Sequence, residues 1–165
     1  YAKLSQYRAI ATQLASDIAE RIRANRTDTA ADSGRAYAFL QSFAEQADGQ
    51  AHAPVAVVPA CDTAGASAAC SQGQMAAADL ASWRLSVRAL LPQGSVFLDP
   101  DAPAGGASPA AGAASSPALP AFDLWLAWSD PASVAGGERA TGECPAGLSL
   151  DEQPQVRCLF FRVLP

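Results

Sequence analysis

YAKLSQYRAIATQLASDIAERIRANR, residues 1–26, decides the architecture of this chain. Leu4, Tyr7, Ala11, Leu14, Ile18 and Ile22 recur at spacings of three and four, which places them on one face of an α-helix. Ile10 and Ala15 widen the stripe, and neither Gly nor Pro interrupts it. Asp17 precedes Arg21 by four residues, the favourable order for a helical ion pair. Arg21, Arg23 and Arg26 crowd the last turns, where cations complement the helix dipole. Such a helix is about 39 Å long. Leu14, Ile18 and Ile22 are expected to lie in the core, under the rest of the domain. Leu4, Tyr7 and Ile10 precede the densest part of the element, where the stripe is either covered by the same domain or left for a partner. Tyr1 offers no capping side chain, so the helix is expected to continue upstream of this sequence.

Working outward from that helix, residues 27–35 read as a turn, and 36–47 as a short second helix. Ser33 is its expected cap, and Tyr37, Leu40 and Phe43 share one face. Residues 48–70 read as loop, with a short strand at 55–58. Residues 71–91 form a good helix: Ser71 and Gln74 make a capping-box pattern. Its apolar stripe is Leu80, Trp83, Val87, Leu90 and Leu91, and Pro92 and Gly94 end it. Residues 95–99 read as a strand, and 100–120, almost wholly Ala, Pro, Gly and Ser, as a surface loop. In FDLWLAWS (residues 122–129) Phe122, Leu124, Leu126 and Trp128 alternate onto one strand face. Trp125 points the other way and needs cover, from another element or from a partner. After a loop over 130–155, residues 156–164 give a last strand with Leu159, Phe161 and Val163 on one face. Helices first and strands after predict an α+β fold. One head, residues 27–165, is expected to pack a small antiparallel sheet of three or four strands against the long helix.

Composition sets the scale of that head. The chain has 165 residues, of which 39 are alanine, while Leu, Ile, Val and Phe together number 32. That is close to the lower limit for an ordinary core. The net charge is −5, and an acidic chain without a clustered basic surface argues against nucleic acid as a partner. No apolar run approaches the length that spans a bilayer. The four cysteines, Cys61, Cys70, Cys144 and Cys158, suggest two disulfides and an oxidising compartment. Three connectivities exist. Proximity in sequence favours Cys61 with Cys70 and Cys144 with Cys158, each loop stabilising by about 3 kcal/mol. A disulfide framework without an export signal implies that a leader has been removed or that this is a piece of a longer protein.

Motifs of catalysis are not found: no G-x-S-x-G, P-loop, G-x-G-x-x-G or H-E-x-x-H. Catalytic, cofactor and metal residues are therefore expected to be none. The one histidine, His52, stands in an Ala/Pro context and reads as a solvated loop residue rather than a general base. Asp99 and Asp101 flank a proline without calcium-loop spacing. Asp17 and Glu20, with Arg21 and Arg23 beside them, read as an ion-paired helix face. Asn25-Arg26-Thr27 matches a glycosylation sequon, a frequent chance match.

Four segments together resemble one family. QLASDIAERIRANR (13–26) is similar to the end of the long N-terminal helix of PilV-type minor pilins of type IV pili, where an A-x-x-L-A-x-D-(I/M)-A-x-R-(I/M)-R-A-N pattern is common. CDTAGASAAC (61–70) resembles their paired-cysteine loop. AAADLASWRLSVRALLPQG (76–94) resembles their D-L-x-x-W helix ending in L-P-x-G, and LWLAWSD (124–130) their strand ending in Trp. The resemblance covers most of the chain in order, and is thin at 27–60 and 100–120. The family's opening segment, with its prepilin-peptidase site and apolar membrane helix, is not in this sequence. The resemblance implies a pilin-like ectodomain, held in the inner membrane facing the periplasm before assembly and in an extracellular pilus tip after it. Its implied partners are other minor pilins, the major pilin and a tip adhesin, and its implied role is structural priming of pilus assembly. The rival expectations are a type II secretion pseudopilin and, in a different class, a secreted disulfide-bonded module with Trp125 at a ligand site. An exported enzyme is a distant third.

Overall fold

The structure, a computed structural model, describes residues 2–25, 36–52, 61, 70–100, 121–130, 142–150 and 153–164. In chain order it contains helix α1 (Ala2–Ala24), helix α2 (Phe43–His52), helix α3 (Gln72–Leu90), strands β1 (Ser95–Asp99) and β2 (Phe122–Ser129), a single 3-10 turn (Ala146–Leu148) and strand β3 (Val156–Val163). The strands form one antiparallel sheet in the order β1-β2-β3. The fold is thus α+β, with the N-terminal helix and a small antiparallel sheet as its main parts.

The apolar face of α1 goes where its periodicity sends it. Ala11, Leu14, Ile18 and Ile22 are buried, together with Ala15 and Ala19. They join Leu80, Trp83 and Val87 of α3 and Phe122, Leu124, Leu126 and Trp128 of β2 in one cluster. Leu159 and Phe161 pack against it half-buried, and Val163 lies inside. Alanine contributes small side chains to this cluster, Ala15 and Ala19 lying beside Phe161 and Val163 of the sheet. The Trp83 indole N–H donates to the Leu14 carbonyl at 2.8 Å, fully buried, so α3 is fixed in register on α1. Ser71 caps α3 with the reciprocal Gln74 bond of a capping box. The turn into β1 depends on Gly94, where a Cβ would collide with the Val87 backbone.

The second sheet face carries a smaller cluster. Phe43, Phe97, Ala127, Leu148, Leu150, Val156 and Cys158 are buried there, and Trp125 packs against them. This is the cover that Trp125 requires. Its ring lies edge-on to Phe97 at 6.0 Å and tilted against Phe160 at 4.9 Å. Disulfides join Cys61 to Cys70 and Cys144 to Cys158. The latter ties the segment with the 3-10 turn to β3, across fourteen residues of sequence.

Three expectations fail here. The helix anticipated at 36–47 begins only at Phe43 and runs on to His52. Residues 36 and 37 before it form a turn, and Phe39 bridges to Leu98 of β1. The cause is a better cap downstream: Ser42 and Glu45 exchange capping bonds, Glu45 Oε2 accepting from the Ser42 N–H at 2.7 Å and Ser42 Oγ accepting from the Glu45 N–H at 3.3 Å. Tyr37 and Phe43 are buried in different clusters, and Leu40 is exposed. Second, His52 ends α2 rather than lying in a loop. Third, Leu90 lies outside the α3 stripe and is exposed, while Leu91, one residue past the helix, is buried in its place. The expected cap Ser33, the strand at 55–58 and the loop over 101–120 lie outside the described residues.

Ile18 sits at the centre of the helix–sheet contact with no exposed surface. Ile18→Asp places a carboxylate there without a partner, and we expect a loss of more than about 3 kcal/mol in chemical denaturation. An unchanged midpoint would contradict the packing described.

Candidate interaction surface

The first turns of α1 divide into two kinds of position. Tyr7 and Ile10 are half-buried and pack against the main cluster, whereas Ser5, Gln6, Arg8 and Ala9 are exposed. Tyr7 and Ile10 are therefore partly claimed by the chain's own core, with the remainder of each side chain open to a partner. Leu4 lies in the helix, and its side chain is outside what is described. Trp125, the fourth candidate contact, is on the opposite sheet face and does not join them. The structure thus brings Tyr7 and Ile10 together on one helix and separates Trp125 from them.

The C-terminal end of α1 is fixed by a polar junction. Arg21 Nε donates to Asp17 at 3.1 Å, and its Nη1 to Asp79 of α3 at 3.4 Å. The Tyr37 hydroxyl donates to Asp79 at 2.8 Å, and the Asn25 side-chain amide donates to that hydroxyl at 3.2 Å and to the Gln72 carbonyl at 3.0 Å. Five side chains from α1, the 36–39 segment and α3 so hold one another. Burial disfavours the Arg21 cation, but the Asp17 and Asp79 carboxylates outweigh it and raise its pKa. Asn25, the first residue of the sequon, has its amide occupied in this junction. Among these residues, sequence pattern singles out only the Asp17–Arg21 pair. Asp79 and Tyr37 meet Arg21 from 58 and 16 residues away in sequence, beyond the reach of local periodicity.

Other charges are placed individually. Arg84 lies over the Phe39 ring at 3.9 Å, a cation–π arrangement. Burial, then repulsion from Arg88 one turn on, pushes it down to about 10. Glu143 pairs with Arg157 at 2.8 Å, both largely buried. Asp123 pairs with Arg162 at 3.0 Å, yet burial moves its pKa up, against Arg162 and aided by Asp99. Among the described residues no cluster of His, Cys, Asp and Glu is arranged to hold a metal ion, and no helix is long and apolar enough to cross a membrane. A groove of about 200 Å³ runs between α1 and β3, lined by Thr12, Ala15, Ser16, Ala19, Glu20, Arg23, Phe161, Arg162 and Val163.

No protein-family model matches the chain, and no curated protein or solved structure matches it. The groove and the exposed flank of α1 stand as the surfaces offered by geometry alone.

Tyr37 gives the junction a pH signature. Burial raises its phenol well above the usual tyrosine range, and Asp79 adds to this although the Asn25 bond opposes it. The folded chain then keeps the Tyr37 proton where the unfolded chain releases it. Stability should fall as pH rises through the ordinary tyrosine range near 10, by up to about 1.4 kcal/mol per pH unit. We expect Tyr37→Phe to cost about 1–2 kcal/mol at neutral pH and to remove that alkaline decline. Urea melts of both proteins from pH 8 upward measure it; parallel declines would contradict the junction.

Proposed function

We propose that this chain is the ectodomain of a minor pilin of the PilV type, acting by packing with other pilins rather than by catalysis. The observation that carries the reading is the disposition of α1. Its C-terminal half is embedded in the head through Leu14, Ile18 and Ile22, while its first turns expose one side. This is the division of labour expected of a pilin helix, which roots the head and extends from it as a packing surface. The ordering of α1, α3 and a three-stranded antiparallel sheet agrees with a pilin-like layout. So do the bridged cysteines at 61 and 70 and the buried Trp83 and Trp128 within the segments that resemble the family.

In this reading α1 is continued by an apolar helix that sits in the inner membrane, where lateral association rests on close packing and polar pairing. The heads then dock by surface complementarity. Beyond residue 35 the chain has five basic and twelve acidic residues, so head contacts formed with basic partner surfaces weaken as salt rises. Minor and major pilins are the partners, a tip adhesin the cargo, and the pilus tip the final location.

The test uses the full-length gene in its source bacterium. Deletion should reduce surface filaments sharply. Complementation with the wild-type gene should restore them, whereas a double variant Tyr7→Glu and Ile10→Glu should accumulate in the membrane yet leave filaments few. Normal filaments in the deletion strain, with loss of protein secretion instead, would assign the chain to a type II secretion pseudopilus. Normal filaments and normal secretion would overturn both assignments.

A further inference from the structure

The two edges of the sheet are finished differently. Along β1, Leu98 exchanges both backbone hydrogen bonds with Phe39. Gln46 sets its side-chain amide against Val96 in place of a peptide group, accepting from the Val96 N–H at 2.9 Å and donating to the Val96 carbonyl at 2.8 Å. Along β3 only the outward N–H groups of the first half are taken. The Val156 N–H donates to the Gln153 carbonyl at 3.1 Å, and the Cys158 N–H to the Glu143 carboxylate at 3.2 Å.

In an antiparallel strand, alternate residues turn both backbone groups to the same side. Since those of 156 and 158 face away from β2, so do those of Phe160 and Arg162. Neither has a backbone partner on that side among the described residues. At Leu164 the edge closes again, its carbonyl accepting from Arg23 Nε at 3.2 Å. The open stretch is thus short and bounded at both ends, unlike an edge left bare along its length.

Its surroundings specify what fits. On the α1 side lies the groove of about 200 Å³, where Thr12, Ala15, Ser16 and Ala19 present small side chains and Glu20 and Arg23 add an ion pair. On the other side, Phe160 is 47 % exposed. A cross-strand row of charge runs Asp99, Asp123, Arg162 in register and ends on a cation at the open edge. A fourth strand that uses only the open groups places one residue opposite Arg162 and another, two further on, opposite Phe160.

The geometry points to β3 as the docking edge for an extended segment of a partner protein, added antiparallel. Such a segment carries a carboxylate opposite Arg162, an aromatic or β-branched residue opposite Phe160, and between them an apolar residue directed into the groove. The inference does not depend on the filament reading, because it rests on the sheet edge alone. With two positions paired, the contact is small, and the isolated segment binds weakly and exchanges fast.

The experiment is an NMR titration of the 165-residue chain with the blocked peptide acetyl-Ser-Thr-Glu-Val-Tyr-Thr-Ser-amide. The Phe160 and Arg162 amide signals should shift, and their hydrogen exchange should slow about tenfold with peptide in excess. Methylating the peptide nitrogens of Glu and Tyr should abolish binding. Arg162→Glu should prefer the peptide with Lys in place of Glu by about threefold, and Arg162→Gln should lose the preference. The proposal is overturned if the methylated peptide binds as well as its parent, or if these two amides do not respond. It is equally overturned if they are protected without peptide as the chain self-associates, which would make the occupant a second copy.

Discussion

Close contact between α1 and α3, locked by one hydrogen bond, is the constraint on which the rest depends. Trp83 donates its indole N–H to the Leu14 carbonyl inside the core, so neither helix slides or rotates without burying an unpaired polar group. Once that register is set, Leu80 and Val87 fall against the α1 stripe, and the two helices offer a joint apolar face to the sheet. In a chain with few large aliphatic side chains, alanine at positions 11, 15 and 19 of α1 and 76 of α3 is buried, so close packing takes the place of bulk. At the far end of α1, the Arg21–Asp79–Tyr37 junction holds the same pair of helices with polar groups. The helix pair is therefore clamped at two points of different chemistry.

The two sheet faces show how much was legible in sequence. Alternation in 122–129 and 156–164 places side chains correctly, because a strand's period is two and nothing intervenes. The α1 and α3 boundaries are equally clear, since long periodicity and a capping box act locally. What escaped is whatever is decided at a distance. The 36–42 segment contains helix-compatible residues, yet Phe39 is drawn into bridging β1, and the Ser42–Glu45 cap sets the helix start instead. That S-x-x-E pattern was present in the sequence and was the signal that would have placed α2. Gln46 was not identifiable at all: a glutamine that substitutes for a strand is recognised only when Val96 is beside it.

The candidate surfaces follow the same division. Tyr7 and Ile10 emerge from helical spacing, and the structure adds that the domain's own core covers part of each. Trp125 emerges from strand alternation as a side chain in need of cover, and the cover proves to be Phe97 and Phe160. Trp125 is thereby partly covered by its own sheet. The disulfide between Cys144 and Cys158 and the largely buried Glu143–Arg157 pair both join residues 143 and 144 to β3. They anchor a segment with little regular structure against β3, where a modest core alone would hold it weakly.

The filament reading is tested most directly by the mass of the native protein's N-terminal peptide, taken from surface filaments sheared off the source bacterium. A methylated first residue followed by an apolar segment that runs into Tyr1-Ala2-Lys3-Leu4 is expected of a pilin. A conventional signal sequence cleaved near Tyr1, with the protein free in the periplasm and not in filaments, would contradict it.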